Sequence, residues 1–86
     1  MKKQITKIIN NWNPIEIYPL LESEYEPEIK RIIAWITVNR EIDSFKLAQY
    51  INEVFIEYFG SLLYKIDKEK VLSVAKKIIQ IKDVVR

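Results

Sequence analysis

Residues 47 to 59 carry Leu47, Ala48, Ile51, Val54, Phe55, Tyr58 and Phe59, an apolar series stepped by three and four along the chain. That spacing puts all seven on one side of a 3.6-residue helix, whereas a strand would scatter them over both faces. The same rule recurs along the chain. Ile5, Ile8, Ile9 and Trp12 predict a first helix over 2–12. Ile29, Ile32, Ile33 and Ile36 predict a second, and Val71, Val74, Ala75, Ile78, Ile79, Ile81 and Val85 predict a fourth. The last stripe spans nearly half the circumference, which suits a helix flanked on two sides. No segment of four or more residues alternates strictly between turn signals, so strands are not expected despite the many isoleucines. β-branched residues lower helix propensity only slightly, and burial overrides that preference. The expected fold is all-α: one compact four-helix domain over residues 1–86, with a short helical turn and loop between helices 1 and 2.

Punctuation sets the boundaries. Pro14 disfavours helical geometry at Asn13, and Asn13 suits an N-cap with Pro14 in the first helical position behind it, so the chain can turn and restart there. Pro19 limits that restart to about a turn, and 20–26 reads as loop. Pro27 suits the first position of the second helix, and Asn39 its end. Asp43 or Ser44 caps the third helix, and Gly60, the only glycine, sits just past its end, where positive φ is common. Ser61 to Ile66 connects onward, with Leu62, Leu63, Tyr64 and Ile66 expected over the core. Asp67 caps the fourth helix.

Charge is unevenly distributed. The net charge is only +2, but Lys2, Lys3 and Lys7 make residues 1–13 basic. Glu16, Glu22, Glu24, Glu26 and Glu28 make 14–28 acidic, and Lys65, Lys68, Lys70, Lys76, Lys77, Lys82 and Arg86 outnumber Asp67, Glu69 and Asp83 in the tail. Glu26 and Glu28 fall in the first turn of the second helix, where the helix dipole favours negative charge without any ligand. Mixed signs along the tail argue against a nucleic-acid partner, which would concentrate base on one face. Gln4, Thr6, Lys7, Asn10 and Asn11 interrupt the N-terminal segment, so it lacks a signal-peptide core. No apolar run approaches the ~20 residues of a membrane span. The chain is expected to be soluble and cytoplasmic, with no membrane partner.

With no Cys and no His, thiolate nucleophiles, imidazole bases and Cys- or His-based metal sites are excluded. A single glycine excludes a Gly-rich phosphate loop or dinucleotide fingerprint. The glutamates at 22, 24, 26 and 28 lack the Asp/Asn spacing and central Gly of a calcium loop, so they read as a solvated acidic loop. No cofactor, metal site, catalytic residue or small-molecule substrate is assigned. If the chain were an enzyme, Glu24, Tyr25 and Glu28 would be the first residues to test.

The aromatic residues are in surplus. Trp35 lies about 100° from the centre of the second helix's stripe and Val38 nearly opposite it, while Tyr50 and Ile56 stand off the axis of the third. Either another helix covers them, or they form a patch that marks a partner surface.

The segments Trp12-Asn13-Pro14-Ile15, Glu24-Tyr25 with Glu28-Ile29, and Phe55 with Phe59-Gly60 carry a likeness. The chain resembles the YugE-like proteins, small uncharacterised helical proteins of Gram-positive bacteria. The resemblance covers nearly the whole chain, including Ile9-Asn10-Asn11, Leu47-Ala48 and Ile51. It implies a compact helical fold and no particular activity. Members usually have Asp after the tryptophan, where this chain has Asn13. Were that Asp a catalytic carboxylate, the exchange would remove its charge and its proton-accepting ability, whereas as an N-cap Asn performs about as well as Asp, which favours a structural corner there.

The function expected from these features is a non-enzymatic protein-interaction module or small homo-oligomer, with a surface around Trp12, Asn13, Glu24, Tyr25, Glu28 and Trp35. Its partner would be another protein or a second copy in a homodimer. The alternative is an immunity- or antitoxin-like inhibitor whose 22–28 segment covers a basic active site. A nucleic-acid binder comes third.

Overall fold

The computed structural model describes residues 1–39 and 41–85, with residues 83–85 described by their backbone alone. Four helices form: α1 (Lys2–Trp12), α2 (Glu26–Val38), α3 (Ser44–Leu63) and α4 (Lys68–Val85). No strand occurs among the described residues. The side chains of Val85, at the outer end of the α4 stripe, and of Asp83 are not described, and Arg86 lies outside the described residues. The helices form a ring in which α1 packs on α2, α2 on α3, α3 on α4 and α4 back on α1. The wide α4 stripe is thus flanked on two sides, by α1 and α3. Arg31 pairs with Glu57 and Trp35 stacks on Tyr50, so α2 and α3 run antiparallel. Among the described residues, no helix is long and apolar enough to cross a membrane.

The four stripes meet at the centre. Ile5 and Ile9 of α1, Ile29, Ile32 and Ile36 of α2, Leu47, Ile51 and Phe55 of α3, and Val71, Val74, Ala75 and Ile78 of α4 make one buried cluster. Burying each large side chain contributes roughly 1.5–3 kcal/mol, the main favourable term in a chain this short. The radius of gyration is 12.0 Å, close to the ~12 Å of one closely packed body of this length.

Capping follows the local chemistry, with one inversion. Asp43 accepts a 2.8 Å hydrogen bond from the Lys46 N–H, and Asp67 accepts one of 3.1 Å from the Lys70 N–H, so both act as N-caps. Asn39 ends α2 as expected. Its amide donates to the Trp35 carbonyl at 2.7 Å, and Lys82 of α4 donates to the Asn39 carbonyl at 2.9 Å, placing a cation at the negative end of the α2 dipole. Asn13 does not cap a second helix. It is the C-cap of α1, in the left-handed region at φ 45°, ψ 62°, with its N–H donating to the Ile9 carbonyl. Asn is among the few non-glycine residues that take this conformation at modest cost. Behind it comes a single hydrogen-bonded turn, in which the Glu16 N–H donates to the Asn13 carbonyl at 3.0 Å, in place of the expected helical turn.

Gly60 has the expected positive φ, but the chain does not leave α3 there. At φ 78°, ψ 163° Gly60 is non-helical inside the element, which continues to Leu63. The Tyr64 N–H donates to the Gly60 carbonyl at 3.0 Å and closes the added turn. That turn directs Tyr64 inward, to 1% exposure, and leaves Leu62 and Leu63 86% and 61% exposed. Ile66 also lies outside, half exposed. The expectation that Leu62, Leu63 and Ile66 cover the core is therefore corrected: only Tyr64 does so.

Candidate functional site

The six residues singled out in the sequence do not share one surface. Trp12, Asn13 and Tyr25 meet at one end of the bundle, and their roles there are structural. The half-buried Trp12 ring stands edge-on to Phe55 at 5.5 Å and to Tyr64 at 6.1 Å. Tyr25 packs on Phe55 and Phe59 at 5.7 and 6.2 Å, and Phe55 stacks on Tyr64 at 5.3 Å. Five rings from α1, α2, α3 and the α3–α4 connection thus interlock, each pair adding about 0.5–1.5 kcal/mol beyond area burial. Tyr25 has no exposed surface, so it offers no ring to a partner. The reason is local: Tyr25 is the N-cap of α2 and shares the inward face with Ile29 and Ile32.

Asn13 organises the loop between α1 and α2. Its side-chain amide donates to the Ile17 carbonyl and its Oδ1 accepts from the Ile17 N–H, both at 3.0 Å, so one side chain pairs both backbone groups of a loop residue. The same Oδ1 accepts the Tyr25 hydroxyl at 2.5 Å, and the Ile15 N–H donates to the Tyr25 oxygen at 3.2 Å. Burial raises the Tyr25 hydroxyl's pKa above the ordinary phenol value, with the nearby Glu28 and Glu24 carboxylates pushing the same way. An Asp at position 13 would have no donor for the Ile17 carbonyl. Asn therefore suits this corner better than a carboxylate would, for a reason different from N-capping.

The acidic segment divides. Glu22 and Glu24 are exposed. Glu26 is held by Lys2 at 2.5 Å across to α1 and approached by Lys30 at 3.9 Å one turn on, which lowers its pKa, the Lys2 hydrogen bond first. Glu28 is buried to 2% exposure, which corrects its placement in a solvated loop. It lies three residues after Tyr25 and four before Ile32, on the buried side of α2. Its Oε1 has no hydrogen-bond partner among the described residues, and burial pushes its carboxyl above the usual carboxylate range. Tyr25 and Glu28 are inside while Glu24 is outside, so these three do not converge on a cleft. Among the described residues, no group of acids is placed to hold a metal ion.

Trp35 lies apart from the five-ring cluster. It is half-buried and stacked on Tyr50 at 4.6 Å and 8°, beside an open groove of about 250 Å³ that also touches Lys46, Gln49 and Glu53. A helix does cover the off-stripe tryptophan, through Tyr50, while Val38 stays 77% exposed. A wider groove of about 600 Å³ lies between α1 and the turn before α2, lined by Lys2, Lys3, Thr6, Glu22, Ser23 and Glu26. Both signs of charge line it, so it has no evident preference for anion or cation.

The side chains best placed to meet a partner were not singled out in the sequence. Leu62, Leu63, Ile66 and Tyr58, the last 47% exposed, lie around the end of α3 and the connection to α4. Spacing gave no such signal, since Leu62 and Leu63 continue the three-and-four steps from Tyr58 and Phe59; only the non-helical backbone at Gly60 turns them outward. In the α1–α2 loop, Tyr18 and Leu21 are also exposed, at 96% and 59%. The Gly60 turn sits at the five-ring end, flanked by Phe59 and Tyr64, whereas Glu22 and Ser23 of the loop lie along α1 beside Lys2, Lys3 and Thr6. Compared with family models, curated proteins and solved structures, the chain matches none.

Proposed function

We propose that the protein is a cytoplasmic, non-enzymatic interaction module that binds another protein through the five-ring end of its bundle. The observation that carries this reading is the exposure of Tyr58, Leu62, Leu63 and Ile66 in a chain whose other stripes close on one another. Large apolar side chains grouped on a surface mark contact sites more often than isolated ones do. The YugE-like resemblance belongs to the same proposal. Trp12, Tyr25, Phe55, Phe59 and Gly60, which carry that likeness, build the rigid end on which the exposed leucines stand. A photo-crosslinking side chain at position 62, in cells of the native host, tests the reading. The expected result is a discrete crosslinked protein that disappears with Leu63→Asp. No crosslink above that of an exposed polar control position would overturn it.

A second reading is the immunity-like inhibitor, favoured by the exposure of Glu16, Glu22 and Glu24 in one short segment. Its acidic face is smaller than the sequence suggests, since Glu26 is paired and Glu28 is buried. A basic nuclease-like toxin encoded beside the gene, inhibited by the protein but not by Glu22→Lys/Glu24→Lys, would support it. Inhibition unchanged by that double substitution would count against it.

A further inference from the structure

One row of α2 side chains runs along the seam with α3. Glu28, Arg31 and Trp35 are spaced by three and four, so they share one side of the helix. The last two meet α3: Arg31 pairs with Glu57 and lies over the Tyr58 ring at 5.7 Å, and Trp35 stacks on Tyr50. Glu28 therefore faces α3 as well, one turn nearer the start of α2, and it is the buried member of the row. Its Oε1 has no hydrogen-bond partner among the described residues. The charged and titratable groups on this side are few. From α2 and the turn before it come Glu24, Tyr25 and Arg31, and from α3 come Glu57 and Tyr58. Lys30 lies across α2 from Glu28, beside Glu26, which also holds Lys2 of α1. Lys46, the single cation in the α3 sequence, is beside Trp35 at the far end of the seam. Arg31 is thus the cation within one turn of Glu28 on its own side.

We infer that Arg31 has two positions, on Glu57 while Glu28 is a neutral acid and on Glu28 once it ionises, which makes this seam a pH-sensitive switch over Tyr58. The observed position is that of the neutral state. An unpartnered carboxyl is tolerated in the interior as an acid and is far more costly there as a bare anion. Once ionised it draws in the nearest cation, and a guanidinium offers the paired donors that fit a carboxylate. The competing partner is weak, because the Glu57 side chain is 63% exposed and its ion pair is screened by water. Arg31 stays charged throughout, so the state of Glu28 sets the choice. Burial holds the Glu28 carboxyl above the usual carboxylate range, which moves the crossover toward neutral pH. At lower pH the guanidinium covers the Tyr58 ring, and as pH rises it leaves that ring for the interior. Tyr58 belongs to the apolar group proposed to meet a partner, so the switch regulates that surface. This consequence rests on the proposed function, and the switch itself does not.

The test is nuclear magnetic resonance of the whole chain from about pH 5 to about pH 9, a range that spans a raised carboxyl. The Glu28 side-chain carboxyl carbon reports ionisation, and the nuclear Overhauser effect between the Arg31 side chain and the Tyr58 ring reports the arginine's position. The expected result is an effect that is strong at the acid end and lost at the Glu28 midpoint. Glu28→Gln should keep it at every pH. Arg31→Gln should move the Glu28 midpoint to higher pH, because the anion has lost its partner. An effect that persists while Glu28 ionises, or that is lost at the same pH in Glu28→Gln, overturns the switch. So does a Glu28 midpoint unmoved by Arg31→Gln, or a Glu28 carboxyl still protonated at the end of the range. Should circular dichroism show either variant unfolded, the coincidence of the two midpoints in the wild type decides. A working switch in a protein that gives no crosslink through position 62 overturns the interaction reading alone.

Discussion

Gly60→Ala isolates backbone conformation from packing. At φ 78°, ψ 163° Gly60 occupies a region essentially closed to L-residues with a Cβ. A methyl group there would meet nothing within 4 Å, so neither overpacking nor a lost contact contributes. What remains is backbone strain of about 1–3 kcal/mol, offset in part by the ~0.4–1 kcal/mol of unfolded-state freedom that any methyl removes. For a domain of this length each kcal/mol lowers Tm by about 4–8 °C, so the expected loss is roughly 5–20 °C. Urea unfolding should show the same free energy with an unchanged slope, because no buried surface differs. Two companion variants separate this cause from others. Gly60→Asn should be as damaging as Gly60→Ala, since Asn tolerates the left-handed helical region but not this one. D-Ala at position 60, introduced by chemical synthesis, should be harmless or mildly stabilising. The mirror image of φ 78°, ψ 163° lies at the edge of the extended basin, and a D-residue removes unfolded-state freedom worth about 0.4–1 kcal/mol. An L-Ala variant within ~0.5 kcal/mol of wild type, or a D-Ala variant as unstable as L-Ala, would refute the reasoning.

Other perturbations test other parts of the fold. Glu28 is buried with its carboxyl pKa raised, so its ionisation opposes folding. Stability from this group is full below the unfolded carboxylate range and falls as pH rises through the higher folded value. Glu28→Gln should remove that fall and leave the domain more stable at pH 7 than wild type, read from denaturation midpoints between pH 4 and 8. Asn13→Asp should cost about 1–3 kcal/mol in urea unfolding, because the Ile17 carbonyl loses its donor. Tyr64→Phe should cost about 0.5–1.5 kcal/mol through loss of the 2.6 Å bond to Asn52. Tyr64 and Tyr25 have raised pKa values, burial being the first cause. Both should ionise late in an absorbance titration, and the stability they contribute is lost as pH rises past the ordinary phenol value. Phe55→Ala, at the centre of the ring cluster, should cost about 3–5 kcal/mol. Against a total of about 4–13 kcal/mol expected for this length, that leaves the domain marginal in thermal melts.

Helix number, the starts of the third and fourth helices and most of the inward stripes are legible in the linear chain because each depends on residues within a turn of one another. Spacing by three and four sets the buried face, Asp43 and Asp67 cap the third and fourth helices, and Gly60 marks where φ turns positive. Even the tryptophan corner at 12–14 is recognisable as a bend. Its mechanism is not, because Asn13 looks the same as an N-cap or as a left-handed C-cap until the path of 15–17 and the Tyr25 hydroxyl are known. Glu28 is a similar case. A glutamate in the first turn of a helix is ordinarily solvated, and only the packing around α2 puts this one inside. The backbone path after Gly60 turns Tyr64 inward and Leu62, Leu63 and Ile66 outward. Local pattern determined which faces are greasy. Tertiary structure decided which of those faces find a neighbour, because burial depends on distant segments arriving, and that arrival is not encoded within any single turn of helix.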